Sequence, residues 1–429
     1  MAEESQANEG RIPTFQDIER ALPVVRRTAH RTPMLSSRQL SAMAGCRVLL
    51  KAECLQRTGS FKIRGALSKV ASLNGTERQA GIIAASAGNH AQGVALAARE
   101  AGIPCTIVMP VGASLAKVEA TRGYGAAVIP YGDSFEKALG RAQALAQEQG
   151  LTLVHAFDDP LIVAGQGTLG VEIAEDASDA GVVLVPVGGG GLIAGVALAV
   201  KELSPGARVI GVQTTSAPAA ERSFHQKRRL RVPSKPTLAD GIAVGEPGAI
   251  PLRVMRRYVD DMVTVSEEAI AHAQALLLER AKLLVEGAGA VGVAALLERA
   301  VAVQESDVAV AVLSGGNVDM NLVSRILEHG LAQAGRYQLV EVVLADKPGQ
   351  LARLLAVLAE AEVNVLDVDH VRHEPGLPFG HAMVEVTGET RNREHAEEMT
   401  RRLQEAGYLL VSVPVPGSIE PARFVAQEA

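Results

Sequence analysis

The sequence predicts an α/β protein with two parallel-sheet domains, followed by a smaller α+β domain of ferredoxin-like arrangement. Up to about residue 330, short apolar strands alternate with helical segments, which is typical of parallel sheet covered by helices on both faces. About ten such strands within roughly 280 residues are too many for one core, so we expect two sheets with a cleft between them. After residue 330 the order becomes βαββαβ, the ferredoxin-like layout.

Each element follows from a local pattern. A helix is predicted over about residues 15–28, because Thr14 can cap it and Asp17 can reach back as a capping-box partner. Later strands are apolar runs ended by turn residues. The predicted strands of the parallel sheets lie at residues 47–50, 81–86, 106–110, 126–130, 151–154, 182–186, 208–212 and 308–313. The C-terminal domain has predicted strands at 339–344, 363–371, 381–386 and 409–413, and predicted helices at 350–361 and 393–406.

Composition excludes several classes of function. The 429 residues carry a net charge of −6, aromatic residues make up 3% and tryptophan is absent, which disfavours nucleic-acid binding by base stacking. Three cysteines without a CxxC pair predict neither a disulfide framework nor structural zinc, and they favour a reducing compartment. The sequence shows no apolar leader and no apolar run of membrane-spanning length. We therefore expect a cytoplasmic protein without membrane or nucleic-acid partners.

Residues 60–66 (SFKIRGA) place Lys62 between Phe61 and Ile63 at the predicted start of a helix. An apolar setting penalises the charged ammonium, so it favours a lowered pKa and a nucleophilic amine. Such an amine is suited to Schiff-base chemistry with an aldehyde cofactor. The alternative is a solvated lysine on a surface helix, which these residues alone do not exclude.

Four consecutive glycines at residues 188–191 follow a predicted strand and open a helix. Their backbone N–H groups could wrap a phosphate at the positive end of that helix, and a tight packing turn is the alternative. Gly189, Gly191 and Ala194 also match a loose dinucleotide fingerprint. The acidic residue expected ~20 positions later is missing, since the next strand ends at Gln213. A nicotinamide oxidoreductase is therefore the weaker interpretation.

Two further turns follow predicted strands. Residues 86–90 (SAGNH) offer a helix N-terminus to a carboxylate, and Asn89 offers an amide to a cofactor hydroxyl. His90 is expected to be an interior histidine without a catalytic role. Residues 314–317 (SGGN) end the last strand of the large sheet, so Ser314 is expected to face the cleft. Taken alone, each segment is also an ordinary turn, with Asn317 as a helix cap.

These four motifs, in this order and at this spacing, resemble the threonine dehydratase (threonine ammonia-lyase) branch of the pyridoxal-phosphate enzymes with the tryptophan-synthase-β-like fold. The resemblance implies a catalytic region at residues 12–330, with a small domain at about 56–154 inserted in the large one. Residues 336–415 resemble a single ACT regulatory domain. Its Asp346, Gly349 and Asn364 lie where such domains hold an effector amino acid.

By position, the resemblance implies that Lys62 holds pyridoxal phosphate beside Phe61, that Asn89 bonds the cofactor's 3-hydroxyl and that Ser314 bonds its ring nitrogen. The phosphate would be bound by Gly188, Gly189, Gly190, Gly191 and Leu192. The substrate carboxylate would be bound by Ser86, Ala87, Gly88, Asn89 and His90. Lys62 would then act as the general base at Cα. The implied reaction is deamination of L-threonine to 2-oxobutanoate and ammonia, with side activity on L-serine.

This sequence departs from related enzymes at three points. Serine racemases carry a second serine where this chain has Ala87, so racemisation is disfavoured. Those relatives also bind a divalent metal after the sixth strand of the large domain, whereas residues 213–219 here contain no carboxylate, so we expect no metal. The longer biosynthetic enzymes have two regulatory modules rather than one, so the resemblance does not extend to feedback by isoleucine.

Two alternatives stay open at this point. An L-serine dehydratase would differ only in a pocket that discriminates one methyl group, worth ~1–3 kcal/mol. An amino-acid-sensing protein with a lapsed catalytic half is the other alternative. In either case the ACT-like domain implies an amino-acid effector and a homo-oligomer, a dimer or a tetramer, because such domains usually pair.

Overall fold

The structure is a computed structural model that describes residues 10–333, 335–372 and 376–412. The chain divides into two compact units, one ending at Asp319 and the other beginning at Met320. The first unit contains both parallel sheets and the second the antiparallel sheet, so the predicted fold class is confirmed. Residues 413–415 of the predicted C-terminal domain lie outside the described residues.

The strands of the first unit are close to the predicted ones. They are β1 (Met34–Ser36), β2 (Arg47–Lys51), β3 (Ile82–Ala85), β4 (Cys105–Met109), β5 (Ala127–Pro130), β6 (Thr152–Leu153), β7 (Val182–Pro186), β8 (Arg208–Thr214), β9 (Asp261–Val265) and β10 (Val308–Val312). β1 and β9 were not predicted. Both are edge strands of the large sheet, where the apolar pattern is weakest.

These strands form two sheets. The large sheet has the order β1-β2-β10-β7-β8-β9 and is parallel except for the β1–β2 pair. The small sheet has the order β5-β4-β3-β6 and is parallel throughout. Central strands β3, β7 and β10 are buried along their whole length, which explains their uninterrupted apolar sequences.

Helices cover these sheets. They are α1 (Phe15–Thr28), α2 (Arg38–Ala44), α3 (Lys62–Ala71), α4 (Gly75–Ala80), α5 (Asn89–Ala101), α6 (Leu115–Gly123), α7 (Phe135–Gln149), α8 (Pro160–Asp176), α9 (Gly191–Leu203), α10 (Ala219–His225), α11 (Ala249–Tyr258), α12 (Glu267–Leu276) and α13 (Gly287–Leu297). α1 begins as predicted, because Asp17 Oδ2 accepts from Thr14 N at 2.8 Å. Within the described residues, no helix has both the length and the apolar character needed to cross a membrane.

The second unit is an antiparallel sheet with helices packed on it. Its elements are α14 (Met320–Gln333), β11 (Tyr337–Ala345), α15 (Gln350–Glu360), β12 (Asn364–Val371), β13 (His381–Glu389), α16 (Arg393–Glu405) and β14 (Leu409–Ser412). The strand order is β12-β13-β11-β14. Val340, Val342 and Val384 of the sheet form one buried core with Leu354 and Leu403 of the helices. From β11 onward the element order is the predicted βαββαβ.

Candidate active site

The predicted motifs of the first unit lie where strands of both sheets end. Residues 86–88 follow β3 of the small sheet, while residues 187–190 follow β7 and residues 313–317 follow β10 of the large sheet. Parallel strands end at the same edge of their sheet, and ligands of such folds bind at that edge. Contacts of Asn317 with Asn89 and of Ser60 with Gly315 join the two edges, so the motifs frame one cleft, with α3 beginning in it at Lys62.

Lys62 is the first residue of α3 and is partly exposed. Its Nζ donates to the backbone oxygen of Ala156 at 3.1 Å and lies 5.2 Å from the centroid of the Phe61 ring. Burial lowers the pKa of Lys62 to about 8, although the Glu286 charge acts in the opposite direction. A lysine with this pKa has a substantial neutral, nucleophilic fraction near neutral pH.

The backbone before Lys62 is fastened to the end of β10. Ser60 pairs with Gly315 in an isolated bridge, and Phe61 N donates to the carbonyl oxygen of Ser314 at 3.1 Å. On the other side, an added Cβ on Gly93 of α5 would lie 3.0 Å from the backbone of Lys62. Glycine at position 93 therefore lets α5 pack closely against the start of α3.

Arg64, two residues after Lys62, is the centre of a buried ionic cluster. Its guanidinium donates to Glu53 at 2.8 Å through both Nε and Nη2, and to Glu172 at 2.7 and 3.0 Å. Lys51 Nζ pairs with Glu172 at 2.8 Å. Burial opposes the charge of Arg64, but the two carboxylates outweigh it and raise its pKa. The cluster ties α3 to β2 and to α8.

The glycine loop between β7 and α9 is shaped by packing as well as by its helix end. An added Cβ on Gly189 would lie 2.3 Å from the Phe157 ring, and one on Gly191 would lie 3.0 Å from Phe157 Cβ. Gly190 has a φ of +92°, which favours glycine. Within the described residues, the N–H groups of residues 188–192 donate to no protein acceptor. The positions that need glycine for packing therefore also present N–H groups that could bind an anion.

The turn between β3 and α5 also ends at a helix N-terminus. Gly88 N donates to Ser86 Oγ at 3.1 Å, and Asn89 is the first residue of α5. His90 is buried and its Nε2 bonds the Val154 carbonyl at 2.9 Å. Burial lowers the pKa of His90 to about 3, so the ring is neutral and donates this bond. Its side chain is thus committed to Val154 rather than to the cleft.

Asn89 is held from both sides by residues of the large sheet's loops. Its Oδ1 accepts from Asn317 Nδ2 at 2.8 Å, and its Nδ2 donates to Glu286 Oε1 at 2.7 Å. Asn317 Nδ2 also donates to the Thr58 carbonyl at 2.8 Å. The Asn317 side chain therefore belongs to the site.

Sequence reasoning missed three contributors to this site. Glu286 is buried and precedes α13 as its N-cap. The signal was present, because one carboxylate interrupts an otherwise apolar and glycine-rich stretch at residues 283–297. The Ala156 carbonyl and the Phe157 ring carried no such signal. A backbone acceptor and an aromatic packing contact depend on tertiary structure alone.

The predicted effector residues of the second unit are not brought together within one chain. Asp346 accepts from Arg372 Nε at 3.2 Å, and Gly349 is the N-cap of α15 with a φ of +88°. Asn364 lies beside Glu389, at the opposite end of β13 from the Asp346 turn. The length of β13 separates these ends by about 27 Å.

Comparison with known proteins agrees with this geometry. The family model described as pyridoxal-phosphate dependent enzyme matches residues 25–315, and the ACT domain model matches residues 338–406. The chain belongs to the family of pyridoxal-phosphate-dependent enzymes. Its predicted resemblance, with a C-terminal ACT domain, is confirmed.

Individual relatives are similar over most of the chain. An L-threonine ammonia-lyase of Thermotoga maritima is 49% identical over 92% of this chain and 98% of its own length. One of Geobacter sulfurreducens is 47% identical over 90% of this chain and 96% of its own length. The solved structure of threonine deaminase isoform 2 from Solanum lycopersicum has a TM-score of 0.69 and 34% identity, covering 75% of this chain and 92% of that one. Maize serine racemase has a TM-score of 0.70 and 34% identity, covering 75% of this chain and 98% of that one.

The residues at the cleft fit pyridoxal phosphate. Lys62 supplies an amine of lowered pKa, and the glycine loop at residues 188–191 supplies unpaired amide groups at a helix start. Among the described contacts, Asn89 Nδ2 uses only one of its two hydrogens. Ser60 Oγ, two residues from Lys62, is buried and has no hydrogen-bond partner in the described part of the chain. An aldehyde needs an amine, whereas a phosphate and a phenolic oxygen need hydrogen-bond donors, and these residues supply both.

Proposed function

We propose that this protein deaminates L-threonine to 2-oxobutanoate and ammonia with pyridoxal phosphate held by Lys62, and that it acts less well on L-serine. The observation that carries this proposal is the Lys62 amine, with a pKa of about 8, bonded to Ala156, the neighbour of the Phe157 that packs against the glycine loop. Relatives named L-threonine ammonia-lyase, matched over nine tenths of the chain, support the choice of substrate.

Backbone N–H groups and short side chains are the proposed ligands of the cofactor and of the substrate carboxylate. The N–H groups of residues 188–192 take the cofactor phosphate at the start of α9, where the helix dipole favours negative charge. The turn at residues 86–90 takes the substrate carboxylate at the start of α5 in the same way. Asn89 and Ser314 are the proposed partners of the cofactor ring, at its hydroxyl and its nitrogen. A neutral hydroxyl at the nitrogen leaves it unprotonated, which favours elimination over transamination.

Proton transfer falls to Lys62. When bound, pyridoxal phosphate supplies an electron-withdrawing ring that acidifies the Cα–H bond of an attached amino acid. Lys62 would hold the cofactor, and its amine is the group proposed to accept the Cα proton of the substrate. A pKa of about 8 suits a base near neutral pH. Water is lost across Cα and Cβ, is added back at Cα and releases ammonia, so threonine yields 2-oxobutanoate and ammonia without an oxidant.

The second unit is proposed to regulate this activity. An ACT domain fits an amino-acid effector, and the turn carrying Asp346 and Gly349 is its proposed site. Because Asn364 lies at the far end of the same sheet, it would join that site only from a second copy of the chain. This supports a homo-oligomer. The three cysteines are free and buried, which suits a cytoplasmic location.

Two alternatives differ in substrate or in chemistry. The likeness to maize serine racemase favours serine as a substrate and hence a serine dehydratase. Ala87 stands where the resemblance places a second serine in serine racemases, so racemisation itself is disfavoured. A sensor with a lapsed catalytic half is disfavoured, because Lys62, the four glycines and Asn89 all keep usable geometry.

The proposal is tested by supplying the purified protein with pyridoxal phosphate and either L-threonine or L-serine, and measuring 2-oxo acid and ammonia. We expect equal amounts of both products and a kcat/KM for threonine above that for serine. A higher value for serine would establish the serine dehydratase. No product from either substrate, in a protein that binds no cofactor, would leave only the sensor.

A further inference from the structure

Glu286 is the carboxylate in the described residues that accepts from the Asn89 amide, and no motif of the sequence contains it. It is buried at the N-cap of α13, and its Oε1 lies 2.7 Å from Asn89 Nδ2. Glycine at position 315 leaves room for this carboxylate, because an added Cβ there would lie 2.4 Å from the same oxygen. A buried carboxylate is costly unless it is paired or hydrogen-bonded, so its retention beside Asn89 needs an explanation.

The hydrogen-bond chain determines which way the Asn89 amide points. The Thr58 carbonyl can only accept, so the nitrogen of Asn317 must face it and also face Asn89 Oδ1. The nitrogen of Asn89 is therefore left facing Glu286, with one N–H given to the carboxylate and one remaining. Two neighbours thus fix one side chain in one orientation, which a single hydrogen bond would not achieve.

We infer that Glu286 is a positioning residue that holds the Asn89 amide so that its remaining N–H meets the ring hydroxyl of pyridoxal phosphate, and that its negative charge biases the ionisation of that hydroxyl. This inference rests on the proposed function, in which Asn89 binds the ring hydroxyl. A hydrogen bond to a carboxylate is stronger than one to a neutral acceptor, so the charge of Glu286 holds the Asn89 amide more firmly in its orientation. The same charge disfavours a second negative charge on the nearby phenolic oxygen.

The charged neighbours of Glu286 come from several elements. Lys62 of α3 and Lys117 of α6 favour its ionised form, and Asp240 of the 240–242 turn opposes it. Burial is the largest influence and raises the pKa of Glu286 to about 7. The thiol of Cys54 has its pKa raised to about 12 by burial and stays neutral. Glu286 therefore changes charge near neutral pH.

Two variants distinguish the hydrogen bond of Glu286 to Asn89 from the effect of its negative charge. Glu286→Ala removes the acceptor and leaves a buried N–H of Asn89 unpaired, so we expect pyridoxal phosphate to bind about ten- to a hundredfold more weakly. Glu286→Gln keeps an acceptor oxygen and removes the charge, so we expect affinity within about threefold of wild type. Glu298→Gln, which alters an exposed acceptor for Ser266, is the matched control and should change neither property.

The readouts are the cofactor dissociation constant and the pH midpoint of the bound cofactor's visible absorbance, neither of which needs turnover. We expect the midpoint to fall by about one pH unit in Glu286→Gln, because a negative charge has been removed. An unchanged cofactor affinity in Glu286→Ala would overturn the proposal that Glu286 positions the Asn89 amide. An unchanged absorbance midpoint in Glu286→Gln would overturn the proposed effect of its charge. If wild type itself binds no pyridoxal phosphate, the proposed function fails instead, so the two failures are distinguishable.

Discussion

Replacing Arg64 by methionine is the perturbation with the largest structural consequence that we predict. The variant would leave Glu53, with no exposed surface, without its ion-pair partner and would deprive Glu172 of one of two cations. Removing one partner of a buried ion pair costs about 3–5 kcal/mol, because the remaining charge stays desolvated. At about 2 °C per kcal/mol for a large domain, we expect Tm to fall by roughly 6–10 °C.

The assay is thermal unfolding followed by circular dichroism, with Arg47→Met as the matched control. Arg47 pairs with Asp179 at 3.0 Å, but both side chains are more than half exposed, so its loss should cost under about 1 kcal/mol. Since α3 carries Lys62, Arg64→Met should also retain less cofactor than the control at equal temperature. A Tm within about 2 °C of wild type for Arg64→Met would refute the reasoning.

The pH dependence of this difference has a definite sign. Burial alone would raise the pKa of Glu53, but the charge and hydrogen bonds of Arg64, with one from Thr32, outweigh it and lower that pKa below its usual value. A carboxylate whose pKa is lowered by folding stabilises the folded state at pH values above its unfolded-state pKa. That stabilisation is lost as the pH falls through the folded-state pKa. The gap in Tm between wild type and Arg64→Met should therefore narrow in acid. A gap that widens below about pH 4 would contradict the assignment.

Two further predictions concern cofactor binding. Gly190→Ala places a side chain at a φ of +92° and 2.9 Å from Pro251 Cβ, so pyridoxal phosphate should bind at least about tenfold more weakly, whereas Gly206→Ala in open space should bind it normally. Equal dissociation constants would contradict this. Because the pKa of Lys62 is about 8, its neutral fraction, and hence the rate of cofactor attachment measured by stopped-flow absorbance, should rise about tenfold between pH 7 and 9. A flat profile would show that another step limits attachment.

Much of the fold could be predicted from periodicity alone. Buried strands such as β7 and β10 are uninterrupted apolar runs, and α1 begins with its own capping residues, so local sequence specifies them. The edge strands β1 and β9 are short or mixed in polarity. Their place in the sheet is set by neighbours far along the chain, which no local pattern records.

The parts of the site that use backbone N–H groups for binding could be predicted from the sequence. Glycines at residues 188–191 and the turn at residues 86–90 have a sequence signature because the conformation needs particular residue types. The Ala156 carbonyl and Phe157 have none, because their roles depend on what lies opposite them across the cleft, and the isolated carboxylate of Glu286 does not reveal that its partner is Asn89. The effector residues illustrate the same limit, since sequence position did not reveal that Asn364 and Asp346 lie at opposite ends of a sheet.

The attachment of pyridoxal phosphate to Lys62 is the central claim, and reductive trapping tests it most directly. The holoenzyme is treated with borohydride, digested and analysed by mass spectrometry. Lys51 serves as an internal control, because it is fully buried and paired with Glu172. We predict a phosphopyridoxyl group on the peptide containing Lys62, and none in Lys62→Ala. Labelling of Lys51 or another lysine instead, or no labelling in a protein that forms 2-oxobutanoate, would contradict the account.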